Sequence, residues 1–446
     1  MLDASMGSGI AHRRCVFEVF ARALPEGRRY GLVVGTQRVI KAILDFGFSD
    51  EELKWLQDAG VVSAPTAKWL AGYRFSGSVD GYREGEVYMP GSPVLTVESS
   101  FAEAVLLETV VLSILNYDSA VASTASRVVS AARGRMLVEM GSRRIHEEAA
   151  VAAARAAYIA GFDSTSNLEA GYLYGVPTAG TSAHSFTMAH PSELEAFRAQ
   201  VDALGPSTTL LVDTYDISQG IANALSAAGP GLGAIRIDSG DLAVEARKAR
   251  AALDKQGAHQ TRILVSGELD EARIAQLLAE GAPVDAFGVG THLVVGSNCP
   301  SPGFVYKVVA VAAGPGKDGP LKPVSKRGGV KSTIPGPKRA FRQLDRSGQA
   351  TAEVVIRYSG EEGASVSSRA ERPYLKTAEH RSLQIPLIRS GEVVAASGTR
   401  DAKDHCRSAL QELPRVAFEL APGRPCLPTL TETSHYEPAV GLEPTT

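Results

Sequence analysis

The stretch that decides the fold runs from Gly134 to His190 and reads GRMLVEMGSRRIHEEAAVAAARAAYIAGFDSTSNLEAGYLYGVPTAGTSAHSFTMAH. Its apolar run Met136–Met140 predicts a β-strand. The segment Ile145–Ala160 follows a short Gly/Arg loop and is rich in alanine, the residue with the highest helix propensity, so it predicts a helix. The stretch therefore begins as a strand, a polar loop and a helix, which is the unit that α/β folds repeat.

The far end of this stretch is a loop of small polar residues, Gly180–Ser185, that contains His184. Buried cores are seldom built from such residues, whereas loops that bind phosphates and small polar ligands often are. A lone histidine in a loop is usually structural. His184 has no metal-ligand partner at a useful spacing, so a role as nucleophile or as acid–base group competes with the structural interpretation.

The alternation of strand and helix continues along the chain in segments of about 25 residues, the size of one strand–helix unit. Strands are predicted at Met136–Met140, Phe162–Ser166, Thr178–Thr181, Thr209–Asp213, Ala234–Asp238, Arg262–Ser266 and Asp285–Val289. Helices are predicted at Ser192–Leu204, Ile217–Ala228, Asp241–Gln256 and Leu269–Ala279. This pattern predicts a closed or nearly closed α/β barrel, with an open doubly wound sheet as the alternative.

Polar residues follow these strands, and in a barrel all such loops meet at the C-terminal rim, where active sites lie. Backbone N–H groups after the last two strands could hold a phosphate. The candidates are Gly267, Gly288, Gly290 and Thr291. These glycines could instead only form tight turns, but their expected position beside Asp238–Gly240 favours a phosphate site.

Two pairs of aspartates, each three residues apart, follow successive strands: Asp213 with Asp216, and Asp238 with Asp241. They could bind Mg²⁺ beside substrate phosphates, or the hydroxyls of a ribose. The alternative is helix capping, which suits Asp216 and Asp241 because an aspartate after a strand often caps the next helix. Asp238 is harder to explain as a cap, since Arg236 lies on the same side of its strand.

Three arginines could bind a carboxylate or a phosphate. Arg143 and Arg144 lie in the first loop, where one of the two could equally form a surface salt bridge. Arg236 lies inside an otherwise apolar strand, so a purely solvated side chain is a poor explanation for it.

Three parts of the chain are predicted: an N-terminal α+β domain (1–115), the barrel (116–310) and a C-terminal extension (311–446). The N-terminal predictions are a strand at Val16–Phe20, a helix at Gly35–Phe46, an antiparallel unit at Gly77–Ser99 and a buried helix at Phe101–Ala132 that is broken near Asn116–Asp118. The C-terminal predictions are a solvated basic loop at Lys317–Arg342, strands at Ala352–Tyr358 and Leu383–Ile388, a helix near Asp401–Leu413 and poor order over Leu427–Thr446.

Composition excludes several classes of protein. The 446 residues carry a net charge of −3, which argues against a nucleic-acid or anionic-membrane partner. The four cysteines, Cys15, Cys299, Cys406 and Cys426, form no CxxC pair, so neither a zinc site nor a disulfide framework is expected and a reducing cytoplasm fits best. The N-terminus does not read as a signal peptide, and the most apolar run, Ala104–Leu115, is too short to span a bilayer.

Several long motifs resemble the nicotinate phosphoribosyltransferases: GSRRIHEEAAVAAARAAYIAGFDSTSN, GVPTAGTSAHSF, LLVDTYDISQGIANA, AIRIDSGDL, ILVSGELDE and FGVGTHLV. The resemblance covers roughly residues 15–345, and the nicotinamide phosphoribosyltransferases share only a looser version. It implies an irregular α/β barrel with an N-terminal α+β domain and a C-terminal extension. It also implies a reaction in which nicotinate attacks C1 of phosphoribosyl pyrophosphate, giving nicotinate mononucleotide and pyrophosphate.

The resemblance further implies that ATP hydrolysis is coupled to this reaction through a phosphohistidine at His184, with Mg²⁺ beside the phosphates. It implies a homodimer in which the partner chain contributes to each site. The residues implied to face the ribose and the nicotinate are Arg236, Asp238, Ser239 and Gly240. Those implied to contact the 5′-phosphate through the backbone are Gly267, Gly288 and Gly290, and Arg143 with Gly180 would lie near the nicotinate carboxylate.

One difference from the family lies at the start. The family begins with a TDxYxLTM-type segment whose tyrosine packs near the nicotinate ring, whereas this chain begins MLDASMGSG, which resembles the end of that segment. A non-catalytic ligand-binding homologue is therefore one alternative. Another is a barrel enzyme that acts on a different phosphorylated metabolite, such as an aldolase or isomerase, which would predict a Schiff-base lysine or a Glu/His pair at the strand ends.

Overall fold

The first third of the chain forms short strands and the helices that pack on them. The computed structural model describes residues 1–296, 299–314, 319–326, 333–358 and 379–431. The first strands are β1 (Arg14–Ala21), β2 (Gly31–Val33), β3 (Ser78–Tyr82), β4 (Glu86–Tyr88) and β5 (Leu95–Ser100). The helices among and after them are α1 (Leu2–Gly7), α2 (Thr36–Asp45), α3 (Asp50–Asp58), α4 (Ala64–Ala71), α5 (Phe101–Leu106) and α6 (Glu108–Ala132).

The middle of the chain alternates strands and helices. Its strands are β6 (Met136–Glu139), β7 (Ser164–Thr165), β8 (Thr209–Leu211), β9 (Ala234–Ile237), β10 (Arg262–Ser266) and β11 (Ala286–Val289). Its helices are α7 (Glu147–Ile159), α8 (Leu168–Tyr174), α9 (His184–Met188), α10 (Glu193–Leu204), α11 (Ile217–Ala228), α12 (Leu242–Lys255), α13 (Glu271–Ala279) and α14 (Thr291–Val294). The strand order is β7-β6-β11-β10-β9-β8, with every pairing parallel.

This parallel sheet is curled into a half-barrel, which confirms the predicted irregular α/β barrel. Its edges are β7 and β8, and within the described residues they do not pair with each other, so the barrel is not closed. Next to the edge strand β8, Arg236 of β9 lies opposite Leu264 of β10 on one side and Leu211 of β8 on the other. The register sets the ends of β9 and β10 side by side.

The last part of the chain adds strands to the N-terminal sheet. Its elements are β12 (Phe304–Ala312), β13 (Leu321–Pro323), β14 (Lys338–Leu344), β15 (Ala350–Arg357), β16 (Glu379–Ser382), β17 (Gln384–Arg389), β18 (Glu392–Val393), α15 (Thr399–Gln411) and β19 (Thr429–Thr431). A seven-stranded sheet has the order β13-β12-β1-β5-β3-β17-β18, and a four-stranded sheet the order β16-β14-β15-β19. The domain boundaries at residues 115 and 310 stay a prediction.

Helix α6 connects the two main hydrophobic cores. Near its start Val111 and Leu115 pack in the core of the seven-stranded sheet. Further along, Val121 and Val128 pack in the core of the parallel sheet. The apolar surface of this 25-residue helix is thus buried on both sheets. Among the described residues, no helix has the length and apolarity that crossing a bilayer requires.

The predicted break in this helical stretch at Asn116–Asp118 is wrong. The interruption lies at Leu107, between α5 and α6. The polar side chains at the predicted break have tertiary partners: the Asn116 side chain accepts a backbone N–H from β12 at 2.9 Å, and Asp118 accepts from Arg38 at 2.6 Å. Because the Asn116 oxygen and Asp118 Oδ1 have partners outside the helix, they do not compete with its backbone hydrogen bonds.

Two strand predictions also need correction. The segment Thr178–Thr181 is not a strand, because only Thr178 forms an isolated parallel bridge, to Thr165 of β7. The segment Gly77–Ser99 is not one antiparallel unit: β3 pairs with β5, but β4 pairs with β2 in a separate two-stranded sheet. Local alternation predicts strands, but it does not reveal which distant strand each one pairs with.

The basic segment Lys317–Arg342 is not wholly solvated. Part of it lies outside the described residues, but its end forms β14, where two basic side chains are buried. Lys338 contacts Glu18 at 2.7 Å and Arg342 contacts Glu353 at 3.0 Å. Of the predicted poorly ordered tail, residues 432–446 lie outside the described chain, whereas Thr429–Thr431 form β19, so the prediction is wrong for the start of that tail.

Candidate functional site

A cavity of about 450 Å³ opens at the carboxyl ends of β6, β9, β10 and β11. Its volume is typical of a small-molecule site. The predicted residues that line it are Arg143, Arg144, Gly180, His184, Arg236, Asp238, Gly267, Gly288, Gly290 and Thr291. Loops that are far apart in sequence thus meet at one place, because parallel strands end at the same edge of the sheet.

The side chain of Arg236 organises the centre of the cavity. Its Nε donates to the hydroxyl of Ser266 at 2.7 Å, one Nη donates to Thr181 at 2.7 Å, and the other donates to Asp238 Oδ1 at 2.8 Å. The Ser266 hydroxyl in turn donates to the same Asp238 oxygen at 2.5 Å. Three fixed donors on a planar guanidinium hold these groups in a defined arrangement.

Asp238 is ionised in this arrangement. Burial of its carboxyl would raise its pKa, but the hydrogen bond from Ser266 and the charge of Arg236 outweigh burial and lower the pKa below its ordinary value of 3.8. The Asp238 side chain is 31% exposed, so the carboxylate remains accessible from the cavity. A negative charge is therefore available to a bound ligand.

The loop that carries Asp238 is fixed by Asp213, which does not line the cavity. Asp213 Oδ2 accepts the backbone N–H of Asp238 at 2.9 Å and the hydroxyl of Ser239 at 2.6 Å. Gly267, which lines the cavity, packs closely against the same loop. It has φ +103°, and a Cβ there would lie 2.6 Å from the carbonyl oxygen of Asp238. Only glycine permits both this backbone conformation and this approach.

Four predicted residues do not line the cavity: Asp213, Asp216, Ser239 and Gly240. Asp216 caps α11 by accepting the N–H of Gln219 at 2.8 Å, and Asp241 caps α12. The helix-capping alternative is therefore correct for these two aspartates.

His184 is the first residue of α9 and lines the cavity. Its Nδ1 lies 3.2 Å from the hydroxyl of Thr214, which follows β8. The ring is half-buried. One of its nitrogens is held by the hydrogen bond to Thr214, and the ring also lines the cavity. This arrangement suits a nucleophile better than a core histidine.

Arg143 and Arg144 lie in a single helical turn after β6. Both side chains are exposed, and within the described residues neither has an ion-pair partner. The salt-bridge alternative is therefore not seen, and both guanidinium groups are open to an anion in the cavity.

Sequence reasoning missed three groups at the site. Thr181 and Ser266 are partners of Arg236, and a polar residue at the end of an apolar strand, as Ser266 is, could have indicated this. Glu268 also lines the cavity and has φ +39°, a backbone conformation that non-glycine residues rarely adopt and that clusters at functional sites. Nothing in the local sequence signals that conformation.

Comparison with known proteins explains this combination of groups. The model of the nicotinate phosphoribosyltransferase (NAPRTase) N-terminal domain matches residues 1–116, and that of the NAPRTase family matches residues 136–315. Nicotinate phosphoribosyltransferase pncB1 of Mycobacterium tuberculosis is 52% identical over 439 residues, covering 97% of this chain and 93% of the relative. This chain belongs to the nicotinate phosphoribosyltransferase family.

Two further comparisons agree with this family assignment. Nicotinate phosphoribosyltransferase of Bacillus subtilis is 36% identical over 356 residues, covering 78% of this chain and 72% of the relative. The crystal structure of human nicotinic acid phosphoribosyltransferase superposes with a TM-score of 0.79 at 25% identity, covering 97% and 96% of the two chains. The resemblance inferred from the sequence is confirmed, and membership of this family argues against an unrelated barrel enzyme such as an aldolase.

Proposed function

We propose that this chain transfers the phosphoribosyl group of phosphoribosyl pyrophosphate to nicotinate, giving nicotinate mononucleotide and pyrophosphate in NAD salvage. One observation supports the proposal most strongly: a single cavity, in a chain of this family, combines three kinds of group. They are the arginine loop (141–144), the fixed Arg236–Asp238 pair and the glycine loops that contain Gly267 and Gly288–Gly290. These suit, in turn, the pyridine carboxylate, the ribose and the 5′-phosphate.

The chemistry assigned to Asp238 is electrostatic. As the bond from C1 to pyrophosphate breaks and the pyridine nitrogen bonds to C1, positive charge develops on the ribose. Asp238, which is ionised and fixed by Arg236 and Ser266, would stabilise that charge. The pyridine nitrogen attacks with its own lone pair, so the reaction needs no general base.

Arg143 is assigned to the carboxylate of nicotinate, and Gly180, which lines the same cavity, is assigned a place near it. Arg143→Gln should raise the KM for nicotinate at least tenfold, since a charged hydrogen-bond partner is lost. Arg262→Gln, at the exposed amino end of β10 and outside the cavity, is the control and should leave KM unchanged. Product formation measured by chromatography with nicotinate and with nicotinamide tests this, and equal KM values in both variants would contradict the assignment.

His184 is assigned the coupling to ATP. We propose that Nε2 attacks the γ-phosphorus, ADP leaves, and the P–N bond is later hydrolysed, while Nδ1 stays bound to Thr214. Labelled ATP should give acid-labile phosphate on the wild type and on His190→Ala, a neighbouring histidine that does not line the cavity, but not on His184→Ala. Label that persists in His184→Ala would contradict this step.

Mg²⁺ is proposed as the metal that accompanies the phosphates, since it is usually bound by one or two carboxylates and substrate phosphates. Asp238 and Glu268 both line the cavity, and Asp238 is proposed as the ligand because its hydrogen bonds from Arg236 and Ser266 both fall on Oδ1. Neither Asp213 nor Asp216 lines the cavity, and Asp216 caps a helix, so both fit less well than expected. When bound, the ion would neutralise charge on the departing pyrophosphate.

A homodimer is proposed because α8, which follows β7 next to the cavity, leaves apolar side chains uncovered. Leu168, Tyr172 and Leu173 are 75%, 84% and 53% exposed. Such a patch is unusual on a monomer and suits an interface between copies of the chain. Analytical ultracentrifugation of the wild type and of Tyr172→Glu tests this, and we expect a dimer that the substitution weakens.

The cytoplasm is proposed as the compartment. All four cysteines are free thiols. Burial raises the pKa of Cys15 to about 11 and that of Cys406 to about 12, so both remain protonated and unreactive. A reducing compartment suits a chain that keeps its thiols in this form.

A further inference from the structure

Glu139, the last residue of β6, is a buried carboxylate that the mechanism above does not use. It is 0% exposed. Its Oε1 accepts the backbone N–H of Gly141, and its Oε2 accepts the hydroxyl of Thr165 at 2.5 Å. Within the described chain no lysine, arginine or histidine lies at ion-pair distance, and burial raises its pKa. Burying an ionisable group without an ion-pair partner lowers the stability of the fold. We therefore look for a functional reason for the position of Glu139.

The hydrogen bonds of Glu139 continue into a closed ring around the arginine loop. Since the Thr165 hydroxyl donates to Glu139, its oxygen is left to accept the backbone N–H of Asn167 at 3.0 Å. The Asn167 side chain then donates to the hydroxyl of Ser142 at 2.9 Å. The start of the loop is thus fixed at two successive residues, Gly141 through its backbone and Ser142 through its side chain.

The same loop is packed tightly on its other side. A Cβ at Gly141 would lie 2.3 Å from a methyl group of Val294 and 3.0 Å from the carbonyl oxygen of Gly290. Gly141 is therefore the point where the arginine loop touches the glycine loop after β11. Gly290, which forms this contact, and Arg143, two residues after Gly141, both line the cavity.

We propose that Glu139 is a positioning residue that sets the place of Arg143 relative to the glycine loop, and hence the spacing between the pyridine carboxylate and the 5′-phosphate of the bound substrates. This proposal rests on the function proposed above. Glu139 does not touch the substrates in it. It acts through the Gly141 N–H and through Thr165, so both partners should matter for binding nicotinate in the same way.

The test compares Glu139→Gln and Thr165→Val with Thr165→Ser. In Glu139→Gln one amide oxygen faces two donors, the Gly141 N–H and the Thr165 hydroxyl. Thr165→Val removes the hydroxyl but keeps the shape of the side chain, whereas Thr165→Ser keeps the hydroxyl. We expect the KM for nicotinate to rise about tenfold in the first two variants, with the KM for phosphoribosyl pyrophosphate and kcat changed less than about threefold. Thr165→Ser should resemble the wild type. Asp163→Asn is the control, because Asp163 accepts the N–H of Leu137 at the opposite end of the same strand.

Thermal unfolding is recorded for every variant, so that a loss of fold is not mistaken for a loss of positioning. If Glu139→Gln fails to fold, the Thr165→Val and Thr165→Ser pair decides. Equal effects in these two variants, or kcat and both KM values changing together, would overturn the proposal. Wild-type protein that does not turn over nicotinate would instead overturn the proposed function, and this inference with it.

Discussion

At the residue scale, the centre of the cavity is a short chain of charge-assisted hydrogen bonds through Arg236, Ser266 and Asp238. The sequence could predict part of this chain, because residues two apart in a strand share a face, and Arg236 with Asp238 follows that rule. The polar end of β10 could indicate Ser266 as a site residue, but not as the partner of Arg236 and Asp238, since only the register of β9 against β10 brings these residues together.

The charge of Asp238 gives the first prediction. Asp238→Asn keeps the size of the side chain but removes the charge, so kcat should fall about a hundredfold while the KM for nicotinate changes little, because the charge acts in the transition state. Steady-state kinetics measures both quantities. The control is Asp254→Asn, another aspartate paired with an arginine but outside the cavity. An unchanged kcat in Asp238→Asn would contradict the electrostatic role.

Asp118 gives a prediction about pH. Burial raises its pKa from the ordinary 3.8 to about 6, although Arg38 at 2.6 Å opposes this. Between these values the folded protein holds more protons than the unfolded chain, so stability falls as the pH rises through this window. The free energy of unfolding of the wild type, relative to Asp118→Asn, should therefore fall by about 2 kcal/mol between pH 4 and pH 7.

Urea unfolding of both proteins at each pH measures this difference. Asp45→Asn serves as the control for the loss of a carboxylate paired with a basic residue, because the Asp45–Lys41 pair is exposed. The free energy of unfolding of the wild type minus that of Asp118→Asn is the quantity compared. If it stays constant or grows as the pH rises, Asp118 is ionised more readily than its burial indicates.

At the element scale, the sequence predicted the parallel strands and the helices between them well, because apolar strand segments and helical periods are local signals. The errors have a common cause in long-range contacts. Asp118 remains inside α6 because Arg38 of α2 satisfies it, and β4 leaves the predicted antiparallel unit because β2 is its partner. For the same reason the sequence does not single out Glu139, whose partner Thr165 comes from another strand.

Arg381 of β16 and His405 of α15 both bind Glu86 and so join these two elements to the N-terminal part. Arg381 contacts Glu86 of β4 at 2.7 and 2.9 Å, and Glu412 after α15 at 2.7 Å. Glu86 is buried, and its pKa lies well below the usual range because hydrogen bonds from His405 and Arg381 outweigh the effect of burial. The buried negative charge of Glu86 is therefore stabilised in part by Arg381.

Arg381→Ala should lower the free energy of unfolding by about 3–5 kcal/mol, because it leaves the Glu86 charge incompletely paired. Urea denaturation followed by circular dichroism measures the loss. Arg400→Ala, on the exposed face of α15 and paired only at 3.9 Å with Asp404, should cost less than about 1 kcal/mol. Similar losses in the two variants would show that the buried network does not hold this part of the molecule together.

At the scale of the whole molecule, α6 buries its side chains in both main cores, so the two sheets should unfold together. The two tryptophans, Trp55 and Trp69, lie in α3 and α4 and report on the N-terminal part. Their fluorescence should follow the same urea transition as far-UV circular dichroism, which reports on the whole chain. A fluorescence midpoint clearly below the dichroism midpoint would contradict a single cooperative unit.

The central claim, that the cavity binds the pyridine acid and the phosphoribosyl group together, is tested most directly by a crystal structure with nicotinate mononucleotide bound. We expect the 5′-phosphate against the backbone of Gly288–Thr291, the ribose beside Asp238 and the pyridine carboxylate within hydrogen-bond distance of Arg143. A nucleotide bound outside this cavity, or bound with its phosphate on Arg143, would contradict the account.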